Sequence, residues 1–205
     1  MLPTPTFLHP SISKITGQSE NRLDDAIHQI ECIVNHLDIP VAIVGGLAGI
    51  HHGTGVTTLD IDLVVRSQDC DRFADALIDN GFVLLNRSAN RWHQLQTNDQ
   101  AALRVEFLPS GEKTPRDSAE VPGIPDPTEL GVDSGLAYAN LAGWVKMKML
   151  AGRDKDYYHL HELAKKLSEP EIASIVVQLR ELPETYTAKF HRILDQAQQD
   201  DRSDW

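Results

Sequence analysis

Residues 41–65 read VAIVGGLAGIHHGTGVTTLDIDLVV, and the fold turns on this stretch. Val41-Ala42-Ile43-Val44 is a short apolar run of strand-forming residues, and Gly45-Gly46 stops it. A short helix to about His51 follows, then a loop, then a second strand predicted over Leu59 to Val65. Strand side chains alternate faces, so Asp60 and Asp62 point one way while Leu59, Ile61 and Leu63 point into a core. Two neighbouring carboxylates repel each other. A strand rich in Val and Ile gains nothing by holding them unless a cation or a basic partner offsets the repulsion. Hard oxygen donors at this spacing suit Mg2+ or Mn2+.

Upstream, Leu23, Ala26, Ile27, Ile30, Ile33, Val34 and Leu37 recur at three- and four-residue steps, which predicts an amphipathic helix over Glu20 to Leu37. Residues 1–19 are rich in Pro, Ser and Thr and read as an arm. Downstream, Ser67 caps a helix that ends at Gly81. Three strands are then expected over Phe82–Leu85, Trp92–Gln96 and Ala102–Leu108, with Asn86–Asn90 as a turn. In the last of these, Leu103, Val105 and Phe107 take one face and Arg104 and Glu106 the other. If that strand lies beside the one holding Asp60 and Asp62, Glu106 joins them. Three carboxylates could then hold two metal ions about 3.5–4 Å apart, the arrangement suited to phosphoryl chemistry.

The composition breaks at Pro109, and Pro115, Pro122, Pro125 and Pro127 mark a long surface loop. From about Ser134 the pattern is helical, with apolar stripes through Leu141, Val145 and Met149 and then Tyr157, Leu160, Leu163 and Leu167. Ser168-Glu169-Pro170-Glu171 is a capping box, and a last helix is expected over Glu184 to Gln198. The fold class is therefore α+β, a small mixed β-sheet flanked by helices and followed by a helical unit. The expected divisions are an arm over 1–19, an α/β domain over 20–126, a helical domain over 127–199 and a tail over 200–205.

Charge and composition narrow the function classes. With 19 Lys and Arg against 30 Asp and Glu, the formal charge of −11 argues against a general electrostatic grip on nucleic acid or an anionic membrane. The apolar run Ile39 to Ile50 is too short to span a bilayer, and no signal-type core begins the chain. Cys32 and Cys70 fall at apolar-face spacing and are expected as buried thiols, which fits a cytoplasmic setting. No zinc spacing, nucleophile elbow or Walker A sequence is present.

Three separated motifs together resemble the nucleotidyltransferase superfamily with a polymerase-β-like core, and within it the minimal bacterial AbiEii-like proteins, some of which act as toxins of toxin–antitoxin pairs. The first is Gly45-Gly46-Leu47-Ala48 with His52-Gly53. The second is Thr58-Leu59-Asp60-Ile61-Asp62. The third is Lys148 followed by Arg153-Asp154-Lys155-Asp156 and Leu163. The resemblance spans roughly residues 20–167. It implies transfer of an NMP from an NTP to a hydroxyl acceptor (a small molecule, a protein side chain or an RNA end), with release of pyrophosphate. It further implies that Asp60, Asp62 and Glu106 hold Mg2+ or Mn2+, with Glu106 helping to deprotonate the acceptor. Gly45, Gly46 and Thr58 would line the triphosphate, and Lys148, Arg153 and Lys155 would face it. An antitoxin partner is implied for some members of the subgroup. This chain departs from the pattern at Val56, where an Arg is common, at His159, where an Asp is common, and at Glu106, where Asp is commoner.

Blander readings stand beside these. Gly45-Gly46 alone is also a tight turn, Asp60 and Asp62 also a solvated strand face, and the basic residues also a hydrated helix surface. A non-catalytic NTP-binding or antitoxin-binding module of the same fold remains open, as does a sugar-nucleotide or phosphohydrolase chemistry using the Asp pair.

Overall fold

The computed structural model describes residues 20–55, 58, 60–88, 91–96, 103–113 and 122–203. Helix α1 (Glu20–Leu37) leads into strand β1 (Val41–Ile43) and the short helix α2 (Gly45–His51). Strand β2 (Ile61–Val65), helix α3 (Cys70–Asp79) and strands β3 (Phe82–Ser88), β4 (Arg91–Gln96) and β5 (Leu103–Pro109) follow. After a 3-10 turn at Pro127–Leu130 come strand β6 (Leu136–Tyr138) and helices α4 (Leu141–Ala151), α5 (Asp154–Ala164), α6 (Glu169–Leu179) and α7 (Glu184–Ser203). The chain is α+β, as its sequence indicates.

The strands form one mixed sheet in the order β3-β4-β5-β2-β1-β6. Strand β2 runs antiparallel to β1 and parallel to β5, and β6 runs parallel to β1. Alternation then sorts the central side chains into two layers. Ile61, Leu63 and Val65 of β2, with Val105 and Phe107 of β5, bury one face against Ile30, Val34, Phe73 and Leu77 of α1 and α3. Phe73 meets Phe107 edge to face at 5.3 Å, a geometry that adds to simple burial. On the opposite face Ala42, Val44 and Val64 pack under Ile124, Leu130, Val132 and Ala139. A third core, around Trp144, Leu160, Ile175, Phe190 and Leu194, holds α4–α7 together and takes in Ala48 of α2.

Several elements differ from expectation for identifiable reasons. Strand β6 lies where a helical pattern was expected, inside the segment assigned to the helical domain. Its pairing partner β1 is nearly a hundred residues away, so no local signal marks it. Strand β3 runs through the expected turn to Ser88, because pairing with β4 continues past a register shift between Leu84 and Asn86. Residues 89 and 90 of that turn lie outside the described residues. The second strand begins at Ile61 instead of Leu59, which is itself outside the described residues. Cys70 is buried as expected, but Cys32 is exposed on α1, where its Sγ lies 3.9 Å from His28 Nε2. Among the described residues no helix is long and apolar enough to cross a membrane.

Candidate active site

The site begins where β1 stops. Val44 N–H donates to the Asp62 carbonyl at 2.8 Å, which fixes the start of α2 against β2. Gly45 follows with φ +66°, a conformation that L side chains rarely adopt. A Cβ placed there would fall 1.8 Å from Asp62 Oδ2, so only glycine leaves that carboxylate its position. Gly46 is held by its other neighbour: its Cβ would meet Thr58 Cβ at 2.6 Å. The Thr58 hydroxyl in turn accepts from Asp60 N–H at 3.2 Å.

Asp62 and Glu106 are cross-strand partners in the parallel β2–β5 ladder, both half-buried. They share the face that carries Val64, opposite the one that α1 and α3 cover. Asp60 sits one residue before β2, outside the regular alternation that would have made its direction certain. Among the described residues, no three His, Cys, Asp or Glu side chains come together as a metal-holding group. Asp62 and Glu106 are thus opposite each other in register, and Asp60 stands beside Asp62 in sequence.

A cationic cluster stands at the junction of α4 and α5. Helix α4 ends at Gly152, whose φ of +55° turns the chain so that Gly152 N–H donates back to the Lys148 carbonyl at 2.9 Å. The break brings Arg153 and Asp156 together. Arg153 Nε donates to Asp156 Oδ2 at 2.6 Å, and its terminal nitrogen to Oδ1 at 3.2 Å. Lys148 Nζ donates to the same Oδ1 at 2.9 Å and lies 3.4 Å from His159 Nδ1. Asp156 is fully buried and Lys148 nearly so, whereas the Arg153 side chain is half exposed. The Asp156 bond raises the Arg153 guanidinium pKa against a smaller effect of burial, and Asp62 and Glu106 add to the rise. Burial pushes the Asp156 carboxyl up, but Arg153 and Lys148 together hold it below the usual carboxylate range. At His159 burial, then the Lys148 charge, lowers the pKa, which favours the neutral ring.

The predicted basic residues therefore part company. Arg153 lies half exposed within electrostatic reach of the acid pair, Lys148 is turned inward onto Asp156, and Lys155 is exposed on α5. The seven-residue spacing that would align Lys148 with Lys155 is broken at Gly152. Val56 lies outside the described residues. Two contacts were not foreseen. Trp144, expected to pack, also donates its indole N–H to the Gly45 carbonyl at 2.8 Å. His52 Nε2 lies 2.9 Å from the Ala139 carbonyl, tying the end of α2 to the end of β6. The first had a faint signal, a Trp one helical turn before Lys148.

No family model matches the chain, and no curated protein does. Solved structures do overlap it. JHP933 from Helicobacter pylori superposes with a TM-score of 0.46 at 16% identity, over 93% of this chain and 97% of that one. ANT(2'')-Ia in complex with adenylyl-2''-tobramycin gives 0.48 at 14% identity, over 84% and 98%. The Cid1 poly(U) polymerase gives 0.39 at 15% identity, over 80% of this chain and 41% of that one. At these scores the overlaps carry no argument about chemistry, which rests on the residues of the site itself.

Proposed function

We propose that this chain is a nucleotidyltransferase, moving an NMP from an NTP to a hydroxyl acceptor. The observation that carries the reading is the in-register pair Asp62–Glu106, with Gly45 moulded against one carboxylate. The donor set fits a hard divalent cation. Mg2+ commonly takes one or two protein carboxylates and leaves its remaining positions to water and phosphate oxygens. Gly45 leaves the Asp62 carboxylate in place, where a Cβ would displace it. Asp62 and Glu106 would hold the ion, with Asp60 as the further ligand that the sequence pattern implies. When bound, Mg2+ or Mn2+ supplies charge neutralisation and alignment for in-line displacement at phosphorus.

The chain's own groups do the rest. Gly45 and Gly46 present a side-chain-free surface to the triphosphate, and Thr58 braces Gly46. Arg153, always charged and held flat by Asp156, offers its remaining donors to phosphate oxygens. Lys148 contributes through Asp156, and Lys155 stands outside that pair. Glu106 would take the proton of the acceptor hydroxyl.

The test is incubation of the full chain with each NTP, labelled at the α-phosphate, and Mg2+ or Mn2+ in cell extract. Label should pass to one class of acceptor. Asp62→Asn and Glu106→Gln should each cut transfer by roughly two orders of magnitude or more, with melting temperatures near wild type. No transfer to any acceptor, alongside measurable NTP binding, would instead favour a binding module, for which an AbiEii-like antitoxin complex is the specific form. That second reading draws on the absence of a three-acid group among the described residues and on His159.

A further inference from the structure

Among the described residues Trp144 is the largest fully buried side chain, and packing alone would account for a ring of that size. It does not account for where the indole N–H goes. That donor reaches the Gly45 carbonyl, a bond that spans 99 residues and ends on the residue whose Cα lies against Asp62. One turn further along α4, the Lys148 ammonium stands 5.5 Å from the centroid of the same ring. It is bonded to Asp156 and close to His159 Nδ1. Asp156 in turn grips the Arg153 guanidinium from below. A continuous path thus runs Gly45–Trp144–Lys148–Asp156–Arg153, and Arg153 at its end lies within electrostatic reach of Asp62 and Glu106.

We propose that Trp144 is a positioning residue for the candidate site: its indole N–H holds the Gly45-Gly46 turn against Asp62, and its ring seats the Lys148 ammonium that pins Asp156 and so aims Arg153. The inference rests on the NTP-binding reading above, but its first half concerns the turn alone and is measurable without nucleotide. It also reassigns Lys148. A side chain 7% exposed and committed to a fully buried carboxylate acts on phosphate only by way of Arg153.

Trp144→Phe keeps the ring and removes the donor. Phe190→Leu, a change in α7 within the same helical core that touches neither the Gly45 carbonyl bond nor Lys148, serves as the control for stability loss. In the absence of nucleotide, amide exchange over residues 44–51 should quicken in Trp144→Phe and stay unchanged in Phe190→Leu. Affinity for Mg2+-NTP by calorimetry should fall roughly tenfold in Trp144→Phe, the scale of one lost hydrogen bond, and stay at the wild-type value in the control. In the wild-type chain the Trp144 indole N–H resonance should exchange slowly and shift when Mg2+-NTP is added, which tests the idea even if the variant does not fold. Equal exchange over 44–51 in Trp144→Phe and wild type, or an indole N–H that exchanges freely, overturns the proposal. Failure of the wild-type chain to bind any NTP overturns the functional reading instead, and leaves the turn-holding result to stand or fall by exchange.

Discussion

Two glycines isolate what a single side chain does at this site. Gly45 and Gly53 both have positive φ, +66° and +76°, but a Cβ on Gly53 meets nothing within 4 Å, whereas one on Gly45 collides with Asp62. Gly53→Ala therefore measures backbone strain alone, about 1–2 kcal/mol. Gly45→Ala carries that strain plus the displacement of a carboxylate, and should cost more by thermal melting. The sharper difference lies in cation binding. Mn2+ affinity by titration calorimetry should be unchanged in Gly53→Ala and lost, tenfold or more, in Gly45→Ala. An equal effect of the two substitutions would mean that Asp62 takes no part in cation binding. At this scale much was legible from sequence. Alternation places Glu106 opposite Leu103, Val105 and Phe107, and it makes Asp62 the polar member of an apolar strand. The bond from Trp144 to Gly45 was not legible, because nothing local links two residues 99 apart.

The junction of α4 and α5 shows how an element boundary becomes a charge device. Gly152 ends one helix, and four residues later Asp156 accepts from two cations while buried. Asp156→Asn leaves Lys148 buried opposite a neutral amide and should cost about 3–5 kcal/mol, the range for breaking a buried pair from one side. The pH dependence has two limbs with different owners. Burial lowers the pKa of His159 and also of His52, in the latter against the opposing Ala139 carbonyl and Glu171. The unfolded chain thus takes up those protons first, and stability begins to fall as pH drops through the ordinary histidine value of about 6.5. Asp156 has a depressed folded pKa, so its contribution is complete above the ordinary Asp value of about 3.9 and drains as pH falls through the folded one. Melting temperature plotted against pH should show both limbs in the wild type. Asp156→Asn should shrink the acid limb, which Asp126, Glu162 and Glu171 share through their own depressed pKa values, and keep the one near pH 6, and His159→Asn should shrink the latter. Sequence periodicity located α1 from Glu20 to Leu37 because one apolar stripe runs its whole length. It could not locate β6, three residues whose only support is a distant parallel neighbour.

For the molecule as a whole, the expected division at residue 126 meets a sheet that does not respect it. Val41 N–H donates to the Gly135 carbonyl, and Ala139 N–H to the Ile43 carbonyl, both at 2.9 Å, so β6 extends the sheet from beyond the boundary. The face formed by Ala42, Val44 and Val64 is covered mostly by Leu130, Val132 and Ala139, again from beyond it. Arg66 binds Asp126 at 3.0 Å at the seam itself, an ion pair exposed enough to contribute little. Ala48 of α2 belongs to the helical core, and the turn before it is held by Trp144. A fragment of residues 20–126 would therefore expose a strand edge and an apolar sheet face together, and lose the anchor of its Gly-Gly turn. It should bind an apolar dye and melt without a cooperative transition. The full chain should unfold in one step, with circular dichroism and tryptophan fluorescence tracing the same curve. Extending the fragment to residue 140 restores β6 and the covering loop, so it should recover sheet content while leaving Ala48 uncovered. A cooperative melt of residues 20–126 alone would mean that the first five strands with α1 and α3 suffice as a folding unit, and that the helical part is docked on a finished domain.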